Sequence, residues 1–171
     1  MLTSLQTHLT RWSRWPVMLG LLVLCALIVG VLFPLLSPTA ATADITALDT
    51  RLWYTRADVA AHMDTLTSAG RNAAALSHLT ADLLFPLAYG ALLAMLLLKT
   101  WPQSGLWKLA LADVAADLME NISLAALYWT HPRLLDSLAP LAAWWTALKW
   151  ALIALTFVFI LLGAVNRWRS R

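Results

Sequence analysis

Apolar residues run almost unbroken through four stretches, roughly 16–36, 78–98, 106–129 and 141–165, and polar residues collect between them. Each stretch holds the ~20 residues a helix needs to cross ~30 Å of hydrocarbon. The pattern predicts an all-α polytopic membrane protein, a bundle of four transmembrane helices forming one membrane domain over residues 1–171. Pro34, Pro38 and the Ser37–Thr42 stretch end the first block, because proline removes a helical donor and crowds the preceding turn. The connections near 100–105 and 131–140 are short. Spans two and three, and spans three and four, are therefore expected to be antiparallel neighbours.

The one long polar interval, 44–77, carries its own helical signal. Thr55-Arg56-Ala57-Asp58 has the spacing of a capping box. Val59, Met63 and Leu66 then recur at helical intervals, and Ser68-Ala69-Gly70 supplies a glycine stop. The expectation is a short extramembrane amphipathic helix between spans one and two, lying on the outer surface or capping the bundle. Asn72 is placed to start a helix that runs without interruption into the second span.

Composition strengthens the membrane assignment. Hydrophobic residues make up 61% of the chain and charged residues 12%, where soluble domains carry about 25% charged residues. A single cysteine, Cys25, excludes an intrachain disulfide and a cysteine metal site. All ten tryptophans except Trp150 fall at or near expected span ends, where indole favours the interface. Arg11, Arg14, Lys99, Lys108, Arg167, Arg169 and Arg171 lie on one side of the expected topology. Arg51, Arg56, Arg71 and Arg133 lie on the other, among most of the loop acids. The positive-inside tendency puts both termini in the cytoplasm. No basic stripe points to nucleic acid. Ala41-Thr42-Ala43 after an apolar run resembles a signal-peptide cleavage site, but Val17–Leu36 exceeds the usual ~7–15-residue core, which favours an uncleaved first span.

The third block breaks the apolar rule. Asp113, Asp117 and Glu120 share one helix face, with Asn121 at its edge. A carboxylate at mid-bilayer costs roughly 2.5–3.5 kcal/mol on insertion scales, against about 0.3–0.6 returned per Leu or Ile. This helix should therefore sit innermost, with its acids inward. Span two carries His78, Asp82, Phe85 and Tyr89 on one face, and Pro86 is expected to kink it and free a carbonyl near Asp82. Span four carries Lys149. Asp82, Glu120, Asn121 and Lys149 are expected to meet in the outer half of the bundle. One lysine cannot neutralise Asp82, Asp113, Asp117 and Glu120 together. The remaining acids require protonation, hydration or a bound cation. Polar contacts between membrane helices average only ~0.6 kcal/mol, a weak stability reason for so many acids.

No Gly-x-Ser-x-Gly, His-Glu-x-x-His or P-loop occurs. His62, His78 and Asp82 provide too few ligands at suitable spacing for a metal site, and no cofactor is implied. Tyr54, Gly70-Arg71, the run Thr80–Gly90, Ala116–Asn121 and Thr146–Trp150 together resemble a group of small, uncharacterised bacterial four-span membrane proteins, over roughly residues 48–160. The Asp-x-x-Phe-Pro and Asp-x-x-Glu-Asn elements carry the resemblance. It implies that Arg71, Asp82, Asp117, Glu120, Asn121 and Lys149 belong to one set, in a multi-pass protein of the bacterial inner membrane.

The leading functional expectation is a binding or transporter-like protein whose pocket accepts a proton, a cation or a small polar or lipid headgroup. Glu120 and Asp117 would titrate and Lys149 would be their counter-ion. Asn121 and Tyr89 would orient the ligand, and Arg71 would act as a lid able to meet an anionic headgroup. The alternatives are an intramembrane enzyme acting on a lipid or isoprenoid, with Glu120 or Asp117 as general acid/base, and a non-catalytic assembly or scaffold protein. The expected partners are the bilayer, such a ligand and a second copy of the chain.

Overall fold

A computed structural model describes residues 2–36 and 47–170; the expected break at Ser37–Thr42, the Ala41-Thr42-Ala43 site and the start of the 44–77 interval lie outside them. The described residues form helices and no strand. In chain order these are α1 (Leu2–Trp12), α2 (Trp15–Leu27), α3 (Phe33–Leu36), α4 (Arg56–Asp64), α5 (Ser68–His78), α6 (Ala81–Thr100), α7 (Lys108–Thr130) and α8 (Leu135–Arg169). A π-helical turn, Ile28–Leu32, joins α2 to α3. Its cause is Pro34, which has no N–H for the carbonyl of Gly30 and crowds it, so the turn ahead widens.

Three stretches are long and apolar enough to cross a membrane: Trp15–Leu36, Ser68–Thr100 and Leu135–Arg169. The third expected span is not among them. It forms α7, whose 23 residues give a length of about 34 Å, but Lys108, Asp113, Asp117 and Glu120 lower its apolar character. Its two faces are inverted relative to a soluble helix. Ala112, Ala115, Met119, Ile122 and Trp129 point outward and are exposed, whereas Asp113, Asp117, Glu120 and Asn121 are all buried. α7 packs against α5, α6 and α8. Gly90 permits the α6–α7 approach, since a Cβ there would lie 2.1 Å from Val114 Cγ2.

The apolar interior is split along α7. One cluster joins Leu124 and Leu127 to Leu48, Tyr54, Val59, Met63, Ala139 and Ala142. The other joins Ala110 to Leu93, Leu97 and Trp107. Residues 113–121 of α7 occupy the layer between. Trp107 is 1% exposed and fills the second cluster.

Several local expectations change. The capping box forms: Asp58 N–H donates to Thr55 Oγ1, and Thr55 N–H donates to Asp58 Oδ2. Ser68-Ala69-Gly70, however, starts α5 instead of ending α4, because Thr67 Oγ1 accepts from the Gly70 N–H as an N-cap. The helix expected to continue from Asn72 is broken at Leu79–Thr80, with Thr80 at φ −124° and ψ −87°. α6 then continues through Pro86. An additional helix, α1, which no sequence signal before Pro16 had indicated, packs on α6 through contacts that include Leu9 against the second cluster.

Candidate functional site

The break between α5 and α6 turns His78 and Asp82 toward α7. His78 Nδ1 lies 2.7 Å from Asp82 Oδ2 and 3.1 Å from Asn121 Oδ1. Both of those atoms accept, so Nδ1 carries the proton. Asn121 uses its amide fully: Nδ2 donates to the Asp82 carbonyl at 2.8 Å and to Asp117 Oδ1 at 3.1 Å. The Asp82 carbonyl is free because residue 86, which would donate to it in a regular helix, is proline. Pro86 thus creates an acceptor and Asn121, from the neighbouring helix, satisfies it. Tyr89 O–H donates to Asp117 Oδ2 at 2.7 Å.

Glu120 and Lys149 form a second group. Glu120 is 0% exposed and ion-paired to Lys149 through Oε2. Thr146 Oγ1 donates to Glu120 Oε1 at 2.5 Å. With that proton committed, the 3.0 Å contact between Thr146 and Tyr54 has the Tyr54 hydroxyl as donor. Lys149 Nζ also donates to the Asp49 carbonyl at 3.3 Å, which Trp150 Nε1 shares at 3.2 Å. A segment expected to stand outside the bundle therefore reaches into it, with Leu48 and Tyr54 buried.

Between these groups lies a cavity of about 550 Å³. Its wall includes Asp49, His62, His78, Asp82, Tyr89, Asp117, Tyr128 and Lys149, with Val29, Phe33, Phe85, Trp150 and Ile153 among the apolar members. Glu120 and Asn121 are not on that wall; they lie behind it, holding Lys149 and Asp117. The expected meeting of Asp82, Glu120, Asn121 and Lys149 resolves into two neighbouring groups bordering one space. Asp113 is fully buried, and neither carboxylate oxygen has a hydrogen-bond partner among the described residues.

Arg71 departs from the expected lid role. Its Nη1 donates to the carbonyls of Leu66 at 2.7 Å and Met63 at 3.4 Å, which brace the α4–α5 joint, and it is absent from the cavity wall. An arginine near a helix C-terminus finds unpaired carbonyls close by.

The sequence assigned no site role to Asp49, Tyr54, Thr146 or Tyr128, although Tyr54 and Thr146 stand in the segments that carry the resemblance. Thr146 carried a signal, lying three residues before Lys149 on the same helical face. Tyr128 lies seven after Asn121 and stacks on His78 with ring centroids 5.7 Å apart. Asp49 contributes a backbone carbonyl, which no side-chain pattern reveals. His62 Nε2 meets the Tyr128 hydroxyl at 2.9 Å. Burial, followed by the charge of Arg51, holds the His62 imidazole below its usual pKa. Burial also pushes the Tyr54 phenol up, so it remains a proton donor. Among the described residues, no three His, Cys, Asp or Glu side chains converge as a metal-ligand set.

No family model matches the chain, and neither the curated proteins nor the solved structures compared with it include a match.

Proposed function

We propose that this chain is a four-span integral membrane protein whose third span, α7, bears an acidic pocket that binds or moves a proton, a cation or a small polar or lipid headgroup. The observation that carries this reading is the cavity of about 550 Å³ walled by Asp82, Tyr89, Asp117 and Lys149. Acids serving only as interhelical glue would be packed against their partners without such a space. The apolar outward face of α7 supports its standing in hydrocarbon with the acids turned away from lipid. α4, with Val59 and Met63 buried, acts in this reading as an amphipathic cap on the outer end. A multi-pass arrangement in a bacterial inner membrane, with both termini cytoplasmic, follows the lysine and arginine distribution and the family resemblance.

Asp117 is the titrating group in this proposal. Tyr89 and Asn121 orient its carboxylate, and Lys149 bridges the cavity wall to buried Glu120. The test is native mass spectrometry of the full chain released from lipid nanodiscs, comparing the native protein with Asp117→Asn and Glu120→Gln. A co-purifying species lost in Asp117→Asn, with the protein still folded, supports the pocket. Identical spectra for native protein and a folded Asp117→Asn overturn it and leave the scaffold reading.

A further inference from the structure

The cavity wall divides by chemistry. Asp49, His78, Asp82, Asp117 and Lys149 belong to its polar part, together with His62 and the hydroxyls of Tyr89 and Tyr128, whereas Val29 and Phe33, and Trp150 and Ile153 of α8, belong to its apolar part. Val29, in the π-helical turn, is 50% exposed, and Leu22, seven residues earlier in α2, is 54% exposed. The apolar part of the cavity is therefore continuous with the apolar outer surface of the bundle. A proton or bare cation needs no such volume: at ~30 Å³ per water, 550 Å³ equals about 18 waters. It falls within the ~300–1,000 Å³ typical of organic ligand pockets.

Charge narrows the headgroup. Three acidic residues, Asp49, Asp82 and Asp117, line the space, and Lys149 is the only lysine or arginine among the described residues that line it. That lysine is already paired with Glu120 and bonded to the Asp49 carbonyl. His78 is turned to Asp82. Asp117 receives hydrogen bonds from the neutral groups of Tyr89 and Asn121 and forms no ion pair among the described residues. Arg71 is directed to carbonyls elsewhere. Residues 37–46 contain neither lysine nor arginine. A phosphate would enter facing Asp82 and Asp117, with the lining lysine already paired and Arg51, whose charge reaches His62, outside the lining. An ammonium would gain charge-assisted hydrogen bonds.

We propose that the pocket takes a cationic amphiphile: its ammonium head sits against Asp117 and Asp82, and its hydrocarbon tail leaves between Val29/Phe33 and Trp150/Ile153. This rests on the pocket reading above and names its ligand class.

The full chain in phosphatidylcholine nanodiscs is labelled with a long-chain primary amine carrying a photoreactive diazirine at the tail end. Dodecylamine, dodecyl phosphate, dodecanol and ethylamine are the competitors. Adducts are expected on Val29, Phe33, Trp150 or Ile153, suppressed by dodecylamine but not by dodecyl phosphate or dodecanol. Loss of a charge-assisted hydrogen bond in Asp117→Asn should lower labelling by roughly tenfold or more. Ile153→Trp, which leaves the acids intact, should block labelling by filling the tail path, and it provides the test if Asp117→Asn does not fold. Equal competition by amine, alcohol and phosphate, or adducts scattered over the exposed face of α8, would overturn the proposal. So would labelling unchanged in Ile153→Trp. Competition by ethylamine alone overturns the amphiphile while leaving the pocket standing. Co-purifying species that ignore Asp117→Asn in the mass-spectrometric test overturn the pocket itself.

Discussion

At the scale of single residues, Asn121 and Glu120 illustrate two ways of burying polar atoms. Glu120 depends on one ion pair, and removing one member of a buried pair costs about 3–5 kcal/mol because the other charge is stranded. Lys149→Met should therefore destabilise the protein by that order in a denaturant titration in mild detergent. Adding Glu120→Gln should recover most of the loss. Failure of the double variant to recover would mean that the lysine matters for packing more than for charge. Asn121 depends instead on three hydrogen bonds and no ion pair, one of the bonds to the Asp82 carbonyl released by Pro86. Asn121→Leu leaves that carbonyl unsatisfied, at about 1–3 kcal/mol for such a group. Pro86→Ala restores an N–H within α6, so it should relieve part of the Asn121→Leu defect. An additive double variant, measured by the same titration, would sink this account.

At the scale of elements, close helix approach and the docking of α4 each make a checkable demand. Gly90→Leu must displace Val114, and overpacking of this kind typically costs about 1–3 kcal/mol. Val114→Ala in the same chain should return part of the loss. On α4, the folded protein holds fewer protons at His62 than the unfolded chain does, because burial disfavours imidazolium. Its contribution is complete above the ordinary value of 6.5 and is lost as pH falls through and below it. Hydrogen exchange along Arg56–Asp64 should accelerate as pH drops across that window, after correction for the intrinsic rate. His62→Gln should flatten the response; an unchanged profile would point to another group.

The boundaries of these elements also show where sequence logic ran short. The capping box at Thr55 was legible because both partners lie within four residues. Gly70 was misread as a stop because a glycine near a helix start and one past a helix end look alike without the Thr67 cap geometry. The break at Leu79–Thr80 has no proline or glycine to announce it. It coincides with the turn of His78 and Asp82 toward Asn121, a contact between positions 43 apart in the chain.

For the whole molecule, the proposed four-span topology makes a direct prediction. With Cys25 replaced by serine, a single cysteine introduced at Ser4 and another at Ser170, in separate proteins, should both be labelled only from the cytoplasmic side of intact cells. A cysteine at Arg133 should be labelled only from outside. Opposite labelling of Ser4 and Ser170 would require three spans, with α7 not crossing.

The amino-acid sequence by itself determined the helical class, the apolar lengths and the inward sense of α7. Those follow from local periodicity and from the large penalty for exposing carboxylates to hydrocarbon, neither of which needs a partner to be known. The tertiary structure decided how the polar residues divide. Glu120 is closed off by Lys149, Thr146 and Tyr54, while Asp117 and Asp82 border an open space, and Arg71 braces a helix joint. That division depends on distances between helices and on a backbone carbonyl at Asp49. The acid stripe of α7 thus separates into a buried charge pair at Glu120, a carboxylate at Asp117 that borders the cavity and a sealed carboxylate at Asp113, because successive turns of α7 face different neighbours.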